Sequence, residues 1–330
     1  MDYLLGVDAG NSKTIALVAE TDGRIVGWGR RGCGDISNPR VGERAALDNV
    51  AAAVGVALEA AGISPERLAG RAFAMAGADW PEDFALLEAE LGLHPWGRGA
   101  AIVNDAVGAL RSGPPGGVGV AVVCGTYATS AARSADGRIW HASFWQEPGG
   151  GFALADRALR AIFRTKLGID PPTSLTGAAL AHFGLDRVEE LLHTLTGRDS
   201  SLSESEVARF APAVLDAAVG GDPTARGIIS AQGTTLGDYA LAAARQVGLG
   251  GAAFDLALAG SVFRHPSSLL RDALLARVER VTPGTRLVKQ RFEPAVGALL
   301  LALEQTGAAP TPGLLERLAA TTPPRALFQT

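Results

Sequence analysis

The stretch Gly6-Val7-Asp8-Ala9-Gly10-Asn11-Ser12-Lys13-Thr14 ends one predicted strand with an acidic residue, crosses a turn of small residues and begins a second strand. A tight hairpin of this kind can turn backbone N–H groups toward phosphate oxygens, and a carboxylate beside it can hold Mg²⁺ directly or through water. The alternative is an ordinary β-hairpin in which Asp8 and Asn11 bond to their own backbone. The stretch alone favours neither interpretation strongly.

A second hairpin of the same design follows at Val122-Val123-Cys124-Gly125-Thr126-Tyr127-Ala128-Thr129-Ser130, where the duplication predicts a second phosphate-facing turn. The alternative is an ordinary hairpin turn rich in Thr and Ser. Around each hairpin the predicted order is three strands, a helix, a strand, a helix, a strand and a helix. In the first copy the strands are predicted at 3–7, 13–19, 24–30, 71–76 and 100–103, and in the second at 118–124, 129–133, 138–142, 256–258 and 286–288. A helical insertion of roughly a hundred residues interrupts the second copy.

A repeat of this length predicts two similar α/β domains rather than a solenoid. The Gly- and Pro-rich segment 112–117 is typical of a junction, so we expect an N-terminal domain over 1–115 and a C-terminal domain over 116–330. The last helix of the repeat, at about 294–306, is expected to pack toward the N-terminal domain. Two like domains that face each other form a cleft, where ligands usually bind.

Composition excludes several classes of function. The 330 residues are 47% hydrophobic, enough for two cores, and the net charge of −4 provides no general attraction for nucleic acid or an anionic membrane. No apolar run is long enough to span a bilayer, and the N-terminus does not resemble a signal peptide. Cys33 and Cys124, the only cysteines, lie far apart, which predicts a cytoplasmic protein without disulfides.

A carboxylate also stands where a buried strand is predicted to become a helix, in Ile102-Val103-Asn104-Asp105-Ala106-Val107-Gly108-Ala109-Leu110. One interpretation makes Asp105 the N-cap of that helix, a position that Asp favours. The other makes it a general base directed into the cleft. The spacing leaves both open.

Taken in order, several short motifs resemble the BadF/BadG/BcrA/BcrD ATPase family, and within it the N-acetylglucosamine and glucosamine kinases of the actin–hexokinase superfamily. The resemblance runs from the first strand to the helix start at Glu293-Pro294-Ala295-Val296-Gly297-Ala298 and leaves out about the last twenty residues. The motifs that carry it are Asp8 with Gly10-Asn11-Ser12-Lys13-Thr14, Ser37-Asn38-Pro39, Ala76-Gly77-Ala78-Asp79, Val103-Asn104-Asp105-Ala106, Cys124-Gly125-Thr126, Glu147 with Gly149-Gly150-Gly151, and Leu258-Ala259-Gly260.

The resemblance implies a duplicated ribonuclease-H-like (actin-like ATPase) fold and an ATP- and Mg²⁺-dependent sugar kinase, expected to be a homodimer. It implies that Asp8 organises Mg²⁺ and that Asp105 takes the proton from the 6-hydroxyl of an amino sugar. The residues implied to bind ATP are Gly10, Asn11, Ser12, Lys13, Gly125, Thr126 and Gly260, and those implied to bind the sugar are Asn38, Asn104 and Glu147.

Three positions depart from the family's pattern. Tyr127 replaces the second glycine of the second phosphate loop, which predicts a restricted backbone and added bulk. Glu147-Pro148 replaces an Asp-Glu pair, so one carboxylate is moved outward by a methylene group. Ala259 replaces one glycine of the adenosine turn, a mild change. These departures put the identity of the sugar in question more than that of the nucleotide.

Two other functions remain open at this point. Loss of turnover at Tyr127 and Pro148 would leave a sugar or nucleotide sensor. An ATP-driven activator of an iron–sulfur dehydratase would need two suitably placed thiolates in each subunit of a dimer. Cys124 is predicted inside a buried strand, which disfavours the activator.

Overall fold

The computed structural model describes residues 2–147, 149–200 and 202–329, so Pro148 lies outside the described residues. The first sheet has the strand order β3-β2-β1-β4-β5. Its strands are β1 (Tyr3–Ala9), β2 (Thr14–Glu20), β3 (Ile25–Arg31), β4 (Leu68–Met75) and β5 (Ala101–Asn104). β2 pairs antiparallel with β1 and with β3, whereas β1–β4 and β4–β5 are parallel.

The second sheet repeats this arrangement. Its strands are β6 (Gly119–Cys124), β7 (Ala128–Arg133), β8 (Ile139–His141), β9 (Asp255–Ala259) and β10 (Arg286–Val288). Their order is β10-β9-β6-β7-β8. Taken from the other edge, this order is β8-β7-β6-β9-β10, which matches β3-β2-β1-β4-β5 of the first sheet strand by strand. The predicted strands and their duplicated order are therefore confirmed, with ends that shift by a few residues because strand and helix ends are weakly defined.

Twelve helices accompany the sheets in the described part of the chain. They are α1 (Glu43–Ala61), α2 (Pro81–Gly92), α3 (Asp105–Arg111), α4 (Gly150–Lys166), α5 (Leu175–Phe183), α6 (Val188–Thr196), α7 (Glu204–Ala208), α8 (Ala211–Val219), α9 (Pro223–Gln246), α10 (Leu269–Glu279), α11 (Pro294–Gln305) and α12 (Pro312–Thr321). The predicted helical insertion corresponds to α5 through α9. No helix among the described residues has the length and apolar character needed to cross a membrane.

The described chain divides into two compact units. Of the described residues, the first unit contains 2–121, 131–141 and 288–329, and the second contains 122–130, 142–147, 149–200 and 202–287. The boundary at residue 115 remains our proposal for the limits of the two duplicated domains.

The core of the first unit forms where α1 covers one face of the first sheet. Leu47, Val50, Val54 and Leu58 recur at helical spacing and are buried against the strands, as the sequence predicts. The helix ends at Gly62, whose φ of 64° is the left-handed conformation that glycine adopts readily.

Helix α11 covers the opposite face of the first sheet and lies on β1 and β4. A Cβ atom on Gly6 would lie 2.4 Å from the backbone nitrogen of Leu299, and one on Gly70 would lie 2.1 Å from the carbonyl oxygen of Ala302. Two strand glycines therefore permit the close approach of this helix, which any side chain would prevent.

Candidate functional site

The carboxyl ends of β1, β4 and β5 share one edge of the first sheet because these strands are parallel. The register pairs Ala9 with Met75 and Met75 with Asn104. Asp8, the last residue but one of β1, and Asp105, the first residue of α3, therefore lie at the same edge. In open α/β sheets this edge is where ligands usually bind.

Asp105 is the residue at this edge with the most strongly altered acidity. Loss of hydration raises its pKa to about 7, with further contributions from the charges of Asp8, Asp35 and Asp79. A carboxyl group with a pKa near neutrality can exist as a base and accept a proton at physiological pH. This is the property required of the residue that receives a hydroxyl proton.

The alternative in which Asp105 caps α3 is wrong. Asn104 occupies the N-cap, and its side-chain oxygen accepts a hydrogen bond from the N–H of Ala106 at 3.1 Å. Asn and Asp cap helices about equally well, so adjacent Asn and Asp residues could not be ranked from sequence. The carboxylate of Asp105 is thus not needed to begin the helix.

Asn104 also supports the neighbouring loop. Its side-chain nitrogen donates to the carboxylate of Asp79 at 2.9 Å and to the carbonyl of Ala78 at 3.4 Å. The buried amide therefore joins the end of β5 to the loop after β4. Direct contact between Asn104 and a sugar stays a prediction.

Sequence reasoning missed Asp35 and Asp79 as members of the site. Asp79 belongs to a motif that carried the family resemblance, but no role was assigned to it. Asp35 follows two glycines in a loop without periodic pattern, and its proximity to Asp105 depends on how that loop folds back. The signal that could have found both is an acidic residue shortly before or after a predicted strand end.

The turn after β1 is closed by a hydrogen bond from the N–H of Gly10 to the carbonyl of Lys13, at 2.9 Å. Asn11 and Ser12 lie within this turn, as predicted. The loop after β3 is fixed to it, because the N–H of Gly34 donates to the carbonyl of Gly10 at 3.0 Å.

Asn38 lies further along the same loop and is half-buried. Its side-chain oxygen accepts the N–H groups of Arg40 at 3.0 Å and Val41 at 3.1 Å. The oxygen is therefore committed to the loop, and contact with a sugar, which stays a prediction, would fall to the side-chain nitrogen.

The acidic edge fits the way that Mg²⁺ is held beside nucleotide phosphates. Among the described residues, no three His, Cys, Asp or Glu side chains converge as a complete metal cage. Mg²⁺ in phosphoryl-transfer sites needs only one or two carboxylates, because water and phosphate oxygens supply the other ligands. Burial is the main cause of the raised pKa of Asp105, and a cation near Asp8 would offset the smaller contribution that comes from the neighbouring carboxylate charges.

In the second unit, the loop between β6 and β7 rests on the first residues of α4. The N–H of Gly151 donates to the carbonyl of Gly125 at 2.8 Å, and the N–H of Phe152 donates to the carbonyl of Thr126 at 3.0 Å. These two donors have no partner within their own helix, and the loop satisfies them. The predicted phosphate-binding residues Gly125 and Thr126 thus have fixed backbones.

The predicted adenosine turn lies directly against the same loop. Gly260 has a φ of 101°, and a Cβ atom there would lie 2.3 Å from the carbonyl oxygen of Cys124. Only glycine fits this position. The structure therefore brings Gly260 together with the start of the second loop, and their contact with a nucleotide stays a prediction.

Tyr127 causes no backbone strain, in contrast to what its place in the loop suggests. Among the described non-glycine residues only Ser143 has a positive φ, so the loop does not require a glycine at Tyr127. The hydroxyl of Tyr127 donates to the carboxylate of Glu204 on α7, which directs the side chain toward the helical insertion. The added bulk remains, because the side chain is 41% exposed.

Glu147 is exposed in the second unit, and its backbone N–H donates to the hydroxyl of Tyr239 on α9 at 2.9 Å. The preceding Gln146 is buried, and its side-chain nitrogen has no partner among the described residues. The role of Glu147 as a sugar ligand stays a prediction.

Comparison with known proteins gives a consistent result. Residues 5–302 match the model of the BadF/BadG/BcrA/BcrD ATPase family. An N-acetylmuramic acid/N-acetylglucosamine kinase from Clostridium acetobutylicum is 23% identical over 92% of this chain and 98% of its own length. A glucosamine kinase from Vibrio cholerae is 24% identical over 68% of this chain and 74% of its own length.

A solved structure from Chromobacterium violaceum, named as a candidate N-acetylglucosamine kinase, superposes with a TM-score of 0.68 and 25% identity. The match covers 92% of this chain and 99% of that one. This likeness confirms the predicted two-domain α/β fold of the actin-like ATPases.

Proposed function

Because the chain belongs to the BadF/BadG/BcrA/BcrD ATPase family, we propose that it is an ATP-dependent sugar kinase that phosphorylates the 6-hydroxyl of an amino sugar such as N-acetylglucosamine or glucosamine. The observation that carries the proposal is the pKa of about 7 for Asp105 at the sheet edge that also holds Asp8 and the turn from Gly10 to Lys13. A base, a metal-binding carboxylate and a phosphate turn are the parts that phosphoryl transfer to a hydroxyl needs.

The residues have separate roles in this proposal. Asp105 accepts the proton of the attacking hydroxyl, which makes the oxygen a better nucleophile. Asp8 would hold Mg²⁺, which neutralises phosphate charge when bound. Phosphoryl transfer proceeds through a loose transition state, so positioning of the reacting groups supplies much of the remaining rate enhancement.

The choice of an amino sugar rests on the named relatives, which act on N-acetylmuramic acid, N-acetylglucosamine or glucosamine. The position of the attacked hydroxyl rests on the family resemblance. The choice of an amino sugar and the choice of the 6-hydroxyl are both more specific than the assignment as a sugar kinase, and each is tested separately.

The experiment is ADP release by the purified protein with ATP and Mg²⁺ in the presence of N-acetylglucosamine, glucosamine, N-acetylmuramic acid or glucose. We expect an amino sugar to stimulate ADP release well above the rate without sugar. The 6-deoxy analogue of the best sugar tests the attacked position, because it lacks the acceptor oxygen. If no sugar stimulates ADP release the kinase assignment is wrong, and if the 6-deoxy analogue is phosphorylated the 6-hydroxyl assignment is wrong.

The iron–sulfur activator is disfavoured by the state of Cys124. Its side chain is 0% exposed inside β6, whereas a cluster shared between subunits needs thiolates that reach the subunit surface. Cys33 is half-buried, and burial raises its pKa. The use of Mg²⁺, a homodimeric state and a cytoplasmic location remain parts of the proposal.

A further inference from the structure

The carboxylate of Asp35 joins two loops for which different ligands are proposed. One oxygen accepts a hydrogen bond from the side-chain nitrogen of Asn11 in the phosphate turn, at 3.1 Å. The other accepts the backbone N–H of Ser37 at 2.9 Å, immediately before the predicted sugar residue Asn38. A single rigid group thus connects the nucleotide turn to the acceptor loop.

The surroundings leave this carboxylate little freedom to move. Gly77, with a φ of 81°, lies behind it, and a Cβ atom there would be 2.9 Å from a carboxylate oxygen of Asp35 and 2.7 Å from the hydroxyl of Ser37. The carbonyl of Asp35 also accepts the N–H of Asn38 at 3.2 Å. A displacement of Asn11 is therefore transmitted to Ser37 and Asn38 rather than absorbed by rotation of the side chain.

We propose that Asp35 is a positioning residue that couples nucleotide binding at the turn from Gly10 to Lys13 with ordering of the acceptor loop at 36–41. The proposal rests on the proposed function, because it takes the turn as the phosphate site and the loop as the sugar site. Phosphate oxygens that fix Asn11 also fix the carboxylate bonded to it, and this lowers the entropic cost of ordering the loop. By thermodynamic linkage, a sugar that orders the loop strengthens nucleotide binding by the same factor.

Hydrogen–deuterium exchange with and without ADP and Mg²⁺ tests the coupling without knowledge of the sugar. In the parent protein we expect ADP to slow amide exchange both at 10–13 and at 36–41. In Asp35→Ala the slowing at 10–13 should persist. The slowing at 36–41 should fall about fivefold, the effect of about one hydrogen bond on local opening.

Two further variants keep the test decisive. Asp35→Leu is of similar size and has no polar side-chain atom, so it cannot accept either hydrogen bond and should also lose the nucleotide effect at 36–41 even if Asp35→Ala fails to fold. Asp22→Asn is the matched control, because Asp22 accepts a local backbone N–H from Arg24 in an exposed turn. This control should retain both effects.

The exchange rates distinguish a role of Asp35 in coupling the two loops from a role in holding the loop at 36–41 in place. Faster exchange at 36–41 in the free variants measures support alone, whereas the change caused by ADP measures coupling. The inference is overturned if ADP does not slow exchange at 36–41 in the parent, or if the slowing survives in both Asp35 variants. Absence of any ADP effect at 10–13 in the parent overturns the nucleotide site itself, and with it the coupling.

Discussion

Asn104 donates a 2.9 Å hydrogen bond to Asp79 while its side-chain oxygen accepts the N–H of Ala106. One buried amide therefore caps α3 and fixes the loop after β4. Asp105, the next residue, does not cap the helix, so the helix does not depend on its carboxylate. A substitution at Asp105 consequently tests chemistry with little effect on the architecture.

Asp105→Asn should lower kcat by about 10²–10⁴-fold, the usual contribution of a general base, while ATP binding is retained. Steady-state ADP release and an independent nucleotide-binding measurement check the two parts. Asn104→Ala is the control for the cap, and it should cost about 1 kcal/mol or more in the free energy of unfolding. A parent-like kcat in Asp105→Asn would remove Asp105 from the mechanism.

The stability of Asp105→Asn, compared with that of the parent protein, should be greater at pH 8 than at pH 5. The pKa of about 7 lies above the ordinary value of 3.8, so the folded protein binds this proton more tightly than the unfolded chain. The resulting stability is fully present below about pH 4 and is lost as the pH rises through 7. Melting temperatures of both proteins at the two pH values check this, and a difference independent of pH would contradict it.

Activity should follow the ionisation of Asp105 in the opposite direction. Only the deprotonated carboxylate accepts a proton, so kcat/KM for the sugar should fall at acid pH. Mg²⁺ beside Asp8 should move this fall below the pKa of about 7 that Asp105 has without the metal. The measurement is kcat/KM for the sugar between pH 5 and 9 at constant ionic strength. In Asp105→Asn the residual activity should lack this acidic limb.

Asp8→Asn should lose metal-dependent turnover, because a neutral amide attracts hydrated Mg²⁺ far less than a carboxylate does. ADP release measured over a series of Mg²⁺ concentrations checks this. Asp22→Asn, in an exposed turn, is the matched control and should behave like the parent. Unchanged turnover and magnesium dependence in Asp8→Asn would show that another group holds the metal.

The sequence predicted the positions of Asp8 and Asp105 well, because both follow from strand ends. Parallel neighbours place their carboxyl ends at one edge, so a carboxylate at the end of β1 and another after β5 must lie near each other. The duplicated strand–turn–strand pattern likewise predicted the second loop, between β6 and β7. The spacing of apolar residues and the order of strands and helices were sufficient to predict these features.

Contacts made by irregular loops were not predictable. The bonds of Asp35 to Asn11 and Ser37 depend on how a loop without periodicity folds back on the first hairpin. Tyr127 was expected to strain a loop that in the related motifs carries glycine, yet this loop takes a conformation open to any residue. The backbone conformation of a loop depends on its own residues, so a sequence motif alone does not predict that conformation.

Glu304→Gln should destabilise the first unit strongly. Glu304 on α11 pairs with Arg111 at 2.7 Å and Arg133 at 2.9 Å, and the Arg111 side chain is only 5% exposed. Loss of the carboxylate leaves a buried guanidinium without its counter-charge, at a cost of about 3 kcal/mol. Urea unfolding measures the change. Asp156→Asn, which removes an exposed partner of Arg160, should change stability little, and equal losses in both variants would contradict the argument.

Gly260→Ala should raise the KM for ATP more than the KM for the sugar, because the new Cβ would lie 2.3 Å from the carbonyl oxygen of Cys124 and displace the start of the loop that we propose as the second phosphate loop. The matched control is Gly251→Ala. Gly251 has a φ of 83° and no atom within 4 Å of an added Cβ, so it carries the backbone strain of a positive φ without the clash. Both variants should lose stability through strain, whereas only Gly260→Ala should lose affinity for ATP. Equal KM values for ATP in the two variants would show that the contact between Gly260 and Cys124 does not shape the nucleotide site.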